Sequence, residues 1–368
     1  MELIAYAAVG AVVGELMLGK RLGNRAMGWG ALCGLLPLVF VVLSPFLDTA
    51  GRMWWHRGPG YSLLAAAVAA WLLARPLGKL WKRDKITPQR AGLFVFAVWA
   101  THVLLACFDA TGAALMWPFS GRRVAFGHLH WGDPLVTLPL VACVVWMAFL
   151  RKPKQRKMRR RALGWGIGLC GGYVAFTVAM KLTASAGFAA DLAERGVDSG
   201  ARVVIPEPFT ALAWRAVVDR GDELWVGRRT VFQWRSTPVR WIIYPRVTGE
   251  VEGFADEREV RRFRAHAGRY WIARPHNRGL WMADLRAGEL RVFEARDPMV
   301  DHRMVEAWNF EPQAPKDRLI PAHAGRPGMI AGLRETGMRI IGREAGAELV
   351  PRLAGVPGQF PEVLGVAE

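Results

Sequence analysis

The chain has 368 residues, of which 52% are hydrophobic, and a formal net charge of +18. The high apolar content excludes a disordered tail protein. The basic charge is concentrated, because residues 1–182 contain 22 Lys and Arg against 6 Asp and Glu, whereas the remainder is nearly balanced. A half that is both strongly apolar and strongly basic is typical of a membrane protein and does not favour a nucleic-acid partner.

Six apolar stretches fill the first half of the chain. Each approaches the length of about 20 residues that crosses a bilayer core, and the first and fifth are the shortest. We therefore predict a polytopic α-helical membrane protein with about six helices in a domain that spans residues 1–183. The six stretches are 3–19, 28–47, 60–77, 91–117, 134–150 and 162–182.

Basic residues alternate from loop to loop, which predicts the topology. The loops at 20–26, 75–90 and 151–161 carry 17 Lys and Arg, whereas the loops at 48–59 and 118–133 carry 4. Because basic loops stay in the cytoplasm, the N-terminus is predicted to be periplasmic, and six spans place the C-terminal half there too. We interpret the run at 151–161 as an anchor on anionic lipid, so that the lipid bilayer is the expected partner.

Glycines at four-residue spacing recur within the apolar stretches. Such spacing permits close approach of two helices in lipid and predicts a compact bundle. The glycines are Gly10 and Gly14, Gly30 and Gly34, and Gly164, Gly168 and Gly172.

From about Ser185 onward, short apolar runs at regular spacing predict a β-rich extramembrane domain over residues 184–296. One helix is expected at 255–267, where Val260 and Phe263 face the sheet. Residues 297–368 are rich in Pro and Gly and are predicted to be irregular, with one short helix near 328–335. The predicted strands are 203–205, 212–218, 223–226, 231–234, 241–244, 270–273, 280–285 and 290–293.

Polar side chains within or beside membrane spans are functional candidates because they are costly there. His102 lies in the fourth stretch, and Asp109 is expected two turns later on the same helical face. Histidine and carboxylate at one leaflet are suited to a metal such as zinc. A proton relay and a polar helix–helix contact are open alternatives. The full set is Glu15, Asp48, His56, His102, Asp109, His128, His130 and Asp133.

Several motifs occur in a distinctive order, and together they resemble one family. They are GELMLGKRLGNRAMGWGALCGLLP, SPFLD, WWHRGPGYSLL, THVLLACFDATG, WPFSGRRVAF and GDPLVTLPL, followed by PEPFTALAWRAVV and RYWIARPHNRGLWMADLRAGELRVF. The chain resembles the YdjM-like membrane-bound metal-dependent hydrolases, named from bacterial inner-membrane proteins, one of which is under LexA control. The resemblance covers about residues 1–295 and implies a bacterial inner-membrane location.

The metal-ligand pattern that the resemblance implies is only partly kept. The motif positions that match the family pattern are His56, Arg57, His102 and Asp133. At the others, Tyr6 and Tyr61 stand where the family usually has His, and Leu38, Phe40 and Ala106 stand where it usually has Asp. Apolar and phenolic side chains cannot replace carboxylates around a divalent ion, so a multinuclear site is not expected.

Two functional hypotheses follow. A hydrolytic metal site needs about three protein ligands and an open position for water, and His56, His102 and Asp133 are the candidate ligands for zinc or manganese. Asp109 could compensate for the lost Asp at 106, and Arg57 could polarise an envelope phosphoester or lipid. The replacements predict weak or absent hydrolysis. The alternative is a non-catalytic membrane module that binds lipid or a partner protein.

Overall fold

The computed structural model describes most of the chain, and all structural statements concern that part. The chain divides into two units. The helical unit comprises Met1–Ser44 and Trp55–Val178, and the sheet unit comprises Pro45–Trp54 and Ala179–Glu368. The described residues are 2–39, 46–130, 133–198, 200–233, 238–246, 249–276, 278–286, 289–290, 303–304, 307–314, 318–321 and 363–364.

The first half of the chain forms helices in which large apolar side chains predominate. Four of them are long and apolar enough to cross a membrane: α1, α4, α5 and α7. Helix α6 is apolar but shorter. The helices are α1 (Glu2–Leu22), α2 (Asn24–Leu35), α3 (Thr49–Trp55), α4 (Leu63–Leu80), α5 (Pro88–Cys107), α6 (Pro134–Phe149) and α7 (Arg156–Glu194).

Two predicted apolar stretches differ from the helices that the chain forms. The stretch 28–47 begins within α2, but that helix ends at Leu35 and is followed by a 3₁₀ turn at Leu36–Leu38. Pro37 lies in this turn and has no N–H group for a continuing helix. The stretch predicted at 91–117 is longer than the helix that forms there, because α5 ends at Cys107. The fold class is confirmed in outline, and the count of six spans stays a prediction.

Helices α1 and α2 form a tight hairpin through their glycines. The chain turns at Gly23, whose φ of 57° suits glycine. A Cβ atom added to Gly30 would lie 2.1 Å from the carbonyl oxygen of Gly10. The backbones can approach this closely only because both residues lack side chains. The prediction of close packing is thus confirmed here, whereas a Cβ atom at Gly164, Gly168 or Gly172 of α7 would meet nothing within 4 Å.

A clasp around Arg159 joins four helices of the helical unit. The Arg159 guanidinium is 11% exposed and forms an ion pair with Glu15 of α1, with Nε 2.6 Å from Oε1. It also donates to Asn24 Oδ1 and to the carbonyl oxygens of Met147, at 3.0 Å, and Leu150, at 3.3 Å. One arginine of the basic run at 151–161 therefore serves the interior of the protein.

The sheet unit is built from antiparallel strands in two main sheets. The first sheet has the order β1-β2-β3-β4-β11, the second has the order β10-β9-β6-β5, and β7 pairs with β8. The strands are β1 (Ala201–Pro206), β2 (Ala213–Asp219), β3 (Glu223–Thr230), β4 (Trp241–Pro245), β5 (Trp271–His276), β6 (Gly279–Asp284), β7 (Glu289–Leu290), β8 (Arg303–Met304), β9 (Ala307–Phe310), β10 (Leu319–Pro321) and β11 (Val363–Leu364).

The two sheets pack face to face between two helical layers. Val217 and Val226 of the first sheet share a core cluster with Ile272 and Ala283 of the second. On its other face the first sheet covers the end of α7, where Phe188 packs against Trp214 and Trp241. Alternation of side chains along the strands separates these two faces. Helix α9 (Arg258–Ala267) covers the outer face of the second sheet, and a short helix α8 (Gly249–Glu252) precedes it.

The end of α7 is fixed to the first sheet by a buried carboxylate. Asp191 accepts hydrogen bonds of 2.7 Å from the backbone N–H of Val239 and from Trp241 Nε1. Arg195, one turn later, donates to the same carboxylate at 2.9 Å. Because α7 is one continuous helix from Arg156 to Glu194, its apolar stretch and its sheet-packed end form a single element.

The segment between α2 and α4 was predicted to be a plain outer loop, but part of it belongs to the sheet unit. Ala50 and Met53 of α3 lie in one buried cluster with Val260 and Phe263 of α9. Asp48 forms an ion pair with Arg258, and its Oδ1 accepts from the N–H of Gly51 at 2.8 Å. The core of the sheet unit is therefore assembled from distant parts of the sequence.

The strand predictions are confirmed for β1 to β6, with differences at the edges. The strand predicted at 231–234 does not form over its described residues, since 231–233 are a turn after β3. The irregular region predicted from 297 onward is wrong for 307–310 and 319–321, which are β9 and β10. Trp308, Phe310 and Leu319 are buried there and hold both strands in the core. The short helix predicted near 328–335 lies outside the described residues.

Candidate functional site

His102 lies in α5 at the centre of a buried cluster of rings. Its imidazole stacks on Tyr6 of α1, with ring centres 3.6 Å apart and planes 18° apart. Tyr61 meets the same imidazole edge-on at 5.0 Å. All three side chains are at most 3% exposed. We call these three residues the ring cluster. All three stand at positions that the resemblance identified with metal ligands, where His102 matches the family pattern and each tyrosine replaces a histidine.

Local structure holds each ring in place. Tyr61 ends the 3₁₀ turn Pro59–Tyr61, which is fixed by a 2.9 Å hydrogen bond from Trp99 Nε1 to the carbonyl oxygen of Gly60. His102 Nδ1 lies 2.7 Å from the carbonyl oxygen of Gly34 in α2. A carbonyl oxygen accepts only a hydrogen, so Nδ1 carries the proton in this arrangement.

Arg57 and Asp109 form a buried ion pair beside this cluster. Arg57 Nη1 donates to Asp109 Oδ2 and to the hydroxyl of Thr111, which in turn donates to Asp109 at 2.7 Å. Burial raises the pKa of the Asp109 carboxyl, but Arg57, the nearby His130 and the Thr111 hydroxyl outweigh burial and place the pKa below its usual range. Asp109 therefore serves as the counterion of Arg57.

The predicted relation between His102 and Asp109 is wrong. Helix α5 ends at Cys107, so Asp109 lies in the following turn and not on the helical face of His102. The chain reverses there, with Gly112 at a φ of 62° and a bridge between Ala113 and Val124. This turn directs Asp109 to Arg57, which is why it does not compensate for Ala106 on α5.

Asp133 caps the first turn of α6. Its Oδ1 accepts from the N–H of Leu135 at 2.9 Å, and its Oδ2 accepts from the hydroxyl of Tyr173 at 2.8 Å. Pro134 follows at the first helical position, where its missing N–H costs nothing. Burial raises the pKa of Asp133, and the hydrogen bonds from Tyr173 and Leu135 oppose this without cancelling it.

A small pocket joins the two carboxylates. Its volume is about 30 Å³, which has room for one or two water molecules. Arg57, Asp109 and Asp133 converge on it together with His130, and apolar side chains complete the wall. The lining residues are Ala5, Tyr6, Arg57, Leu105, Asp109, Leu129, His130, Asp133, Val136 and Thr137.

Residues 1–184, half of the chain, match the family described as YdjM inner membrane protein. The chain belongs to the YdjM inner membrane protein family. No curated protein and no solved structure matches it. Family membership and four helices capable of crossing a bilayer make it an inner-membrane protein. Large apolar side chains on the outer faces of the helices agree with this, since Trp71, Phe149 and Trp165 are 73%, 76% and 64% exposed.

Two of the predicted YdjM-type ligands lie outside the small pocket. His56 is partly buried just after α3, and its carbonyl oxygen accepts a 2.8 Å hydrogen bond from Arg123 Nη2. Neither His56 nor His102 lines the pocket, whereas Asp109 and Asp133 do. The predicted set is thus divided between the ring cluster, the pocket and the end of α3.

Among the described residues, the predicted ligands are not gathered into one metal site. In that part of the chain, no three His, Cys, Asp or Glu side chains lie close enough together to hold an ion. His102 Nδ1 donates to a carbonyl oxygen, which leaves only Nε2 for an ion, and Asp109 is neutralised by Arg57. Asp133 is occupied by its cap and by Tyr173. The ligand set His56, His102 and Asp133 stays a prediction that these contacts do not favour.

Sequence reasoning gave too little weight to the residues that surround the kept positions. His130 appeared only among polar candidates, yet it lines the pocket beside both carboxylates. The signal was its position three residues before Asp133. Tyr173 was not considered, because a tyrosine in an apolar stretch has no distinguishing pattern, although its hydroxyl is the partner of Asp133.

Proposed function

We propose that this member of the YdjM family is a non-catalytic inner-membrane module, in which aromatic packing has taken the place of the metal centre expected from the hydrolase resemblance. The ring cluster carries the proposal. Tyr6 covers one face of His102 and Tyr61 approaches it edge-on, so the positions of former ligands are filled by rings in mutual contact.

The energetics of the ring cluster support this proposal. Stacked and edge-to-face ring pairs contribute about 0.5–1.5 kcal/mol each beyond the burial of their surface. A metal ion at His102 would have to bind through Nε2, because Nδ1 donates to the carbonyl oxygen of Gly34. It would also need two further ligands, and a catalytic site usually has three. In this proposal, contacts between the rings stabilise the helical unit where a bound ion would otherwise do so.

Thermal unfolding with chelator and with added metal tests the proposal. A ligand that binds only the folded state at 100 times its Kd stabilises that state by about 2.7 kcal/mol. We expect the unfolding midpoint in detergent to be unchanged by EDTA and by zinc or manganese. A midpoint that falls with EDTA, recovers with manganese or zinc, and loses this response in His102→Ala would refute the proposal.

A second candidate, weak metal-dependent hydrolysis of an envelope phosphoester or lipid, is favoured by the small pocket. Arg57 and two carboxylates converge there with His130, and an arginine can orient an anionic substrate. Arg57 is already paired, so it would first have to leave Asp109 to hold a substrate. Metal-dependent turnover that is lost in both Arg57→Gln and Asp133→Asn would support this candidate.

We also propose that the N-terminus and the sheet unit are periplasmic. The packing of Ala50 and Met53 with Phe263 supports the predicted topology, because the segment before α4 and the residues after α7 then lie on one side of the membrane. An even number of crossings must lie between them. Helices α4, α5 and α7 require α6 as the fourth, although its 16 residues cover only about 24 Å.

Labelling with a membrane-impermeant maleimide tests this orientation. The four native cysteines are buried, so single introduced cysteines report their own position. Ala265→Cys on the exposed side of α9 should react in intact cells, and Lys82→Cys between α4 and α5 should react only after lysis. The reverse pattern would overturn the orientation, and reaction of both sites in intact cells would overturn the span count.

A further inference from the structure

One arginine of the sheet unit lies between the two sheets with unused hydrogen-bonding capacity. Arg274 belongs to β5, an edge strand of the second sheet. Ile272, two residues earlier, packs in the cluster between the sheets, so alternation puts Arg274 on that same face. Its guanidinium carbon lies 4.6 Å from the ring centre of Trp281, its partner in register on β6.

Other partly buried arginines of this unit have a carboxylate partner. Arg228 pairs with Glu207 at 3.1 Å, and Arg286 pairs with Asp284 at 2.6 Å. Over the part of the chain that the structure describes, the Arg274 guanidinium makes neither an ion pair nor a hydrogen bond. Burial lowers the pKa of Arg274 from its ordinary value, and Tyr244 opposes this shift. Among the described residues, this partly desolvated cation has no counterion.

A second polar group without a partner among the described residues lies two strands away, on β9. Trp281 is in register with Asn309 of β9, so Arg274, Trp281 and Asn309 form a row across three strands. Asn309 Oδ1 is buried and has no hydrogen-bond partner among the described residues. The carboxamide can present either its oxygen or its NH₂ group to a ligand, since the two orientations have nearly the same shape.

We propose that Arg274, Trp281 and Asn309 form a binding site for a phosphate oxyanion. The planar guanidinium presents parallel N–H donors that match two oxygens of a phosphate, and the Trp281 ring beneath holds that plane in orientation. The Asn309 amide would supply a further donor. The anion would serve as the counterion of Arg274. The same chemistry is offered by free phosphate and by the phosphodiester of a lipid headgroup.

Thermal unfolding of the full-length protein in a sugar-based detergent tests the site. Inorganic phosphate and a short-chain phosphatidylglycerol are titrated separately into phosphate-free buffer. We expect at least one of them to raise the unfolding midpoint of the wild type. A response to phosphate identifies a free ligand, and a response to phosphatidylglycerol alone identifies a lipid headgroup.

Two substitutions at Arg274 and one matched control assign the response. Arg274→Met should abolish it, while leaving the midpoint without ligand unchanged or higher, because a partly buried charge without a counterion among the described residues is removed. Arg274→Lys keeps the positive charge but lacks the two parallel N–H donors of a guanidinium, so it should weaken anion binding at least tenfold. Arg220→Met is the control, since Arg220 lies 5.3 Å over Trp225 in a similar pair but is exposed, and it should respond as the wild type does.

Three results would overturn the proposal. The first is a wild-type midpoint that neither probe changes. The second is a response that persists in Arg274→Met. The third is a marked fall of the ligand-free midpoint in Arg274→Met, or failure of this variant to fold, which would show that the guanidinium already has a stabilising partner within the protein.

Discussion

Replacement of Glu15 by Gln should destabilise the helical unit strongly, because it leaves the Arg159 charge buried without a counterion. Glu15 and Arg159 are 10% and 11% exposed at their side chains. Removal of one partner of a buried ion pair costs about 3–5 kcal/mol. The carbonyl oxygens of Met147 and Leu150 remain as acceptors and the site is not fully dry, so we expect about 3 kcal/mol.

Thermal unfolding in detergent, followed by circular dichroism, measures this loss. For a unit of this size, 1 kcal/mol lowers the midpoint by about 2–4 °C, so the Glu15→Gln midpoint should fall by roughly 6–12 °C. Arg25→Gln is the matched control. It breaks the ion pair with Asp84 in which the Arg25 side chain is 66% exposed, and such a pair contributes at most about 1 kcal/mol.

A double substitution separates the ion pair from general damage. Glu15→Gln with Arg159→Gln removes both charges, so it should be less destabilised than the sum of the single variants, with a coupling energy of roughly 1–3 kcal/mol. Additive effects, or a Glu15→Gln variant as stable as the Arg25→Gln control, would refute the view that the clasp joins the helix ends.

Two further predictions concern close packing and the anchoring of α7. Gly30→Ala should unfold at a much lower temperature than the wild type, because its Cβ would lie 2.1 Å from the Gly10 carbonyl oxygen. The control Gly168→Ala, at a position of α7 with open space around it, should be neutral or slightly stabilising. Equal unfolding midpoints for the two variants would contradict the tight hairpin. Asp191→Ala should destabilise the sheet unit by at least about 2 kcal/mol, since it leaves the Trp241 indole N–H unpaired, and tryptophan fluorescence on unfolding checks this.

Local patterns predicted those elements whose stabilising contacts are repeated along the sequence. Apolar runs of span length indicated the long helices, and alternation indicated β1 to β6, because each pattern reflects the face that the element buries. The end of α5 was missed since the apolar composition continues to Trp117. What stops the helix is the reversal near Gly112, where the backbone turns towards Val124.

Contacts between distant segments were beyond the reach of the sequence. Nothing in residues 48–54 indicates that Met53 packs with Phe263, more than 200 residues later. The strands β9 and β10 were missed because the region from 297 onward is rich in proline and glycine, and their apolar runs are too short to indicate strands. At the candidate site, the resemblance identified Tyr6, Tyr61 and His102 as related positions, but only their packing shows that the rings touch.

Elemental analysis of the protein purified in detergent without added metal tests the central claim most directly. Because the ring cluster occupies the positions where ligands were expected, we predict far less than one zinc or manganese ion per chain, with no difference between the wild type and His102→Ala. Near-stoichiometric metal in the wild type that is lost in His102→Ala would contradict the account and restore the hydrolase reading.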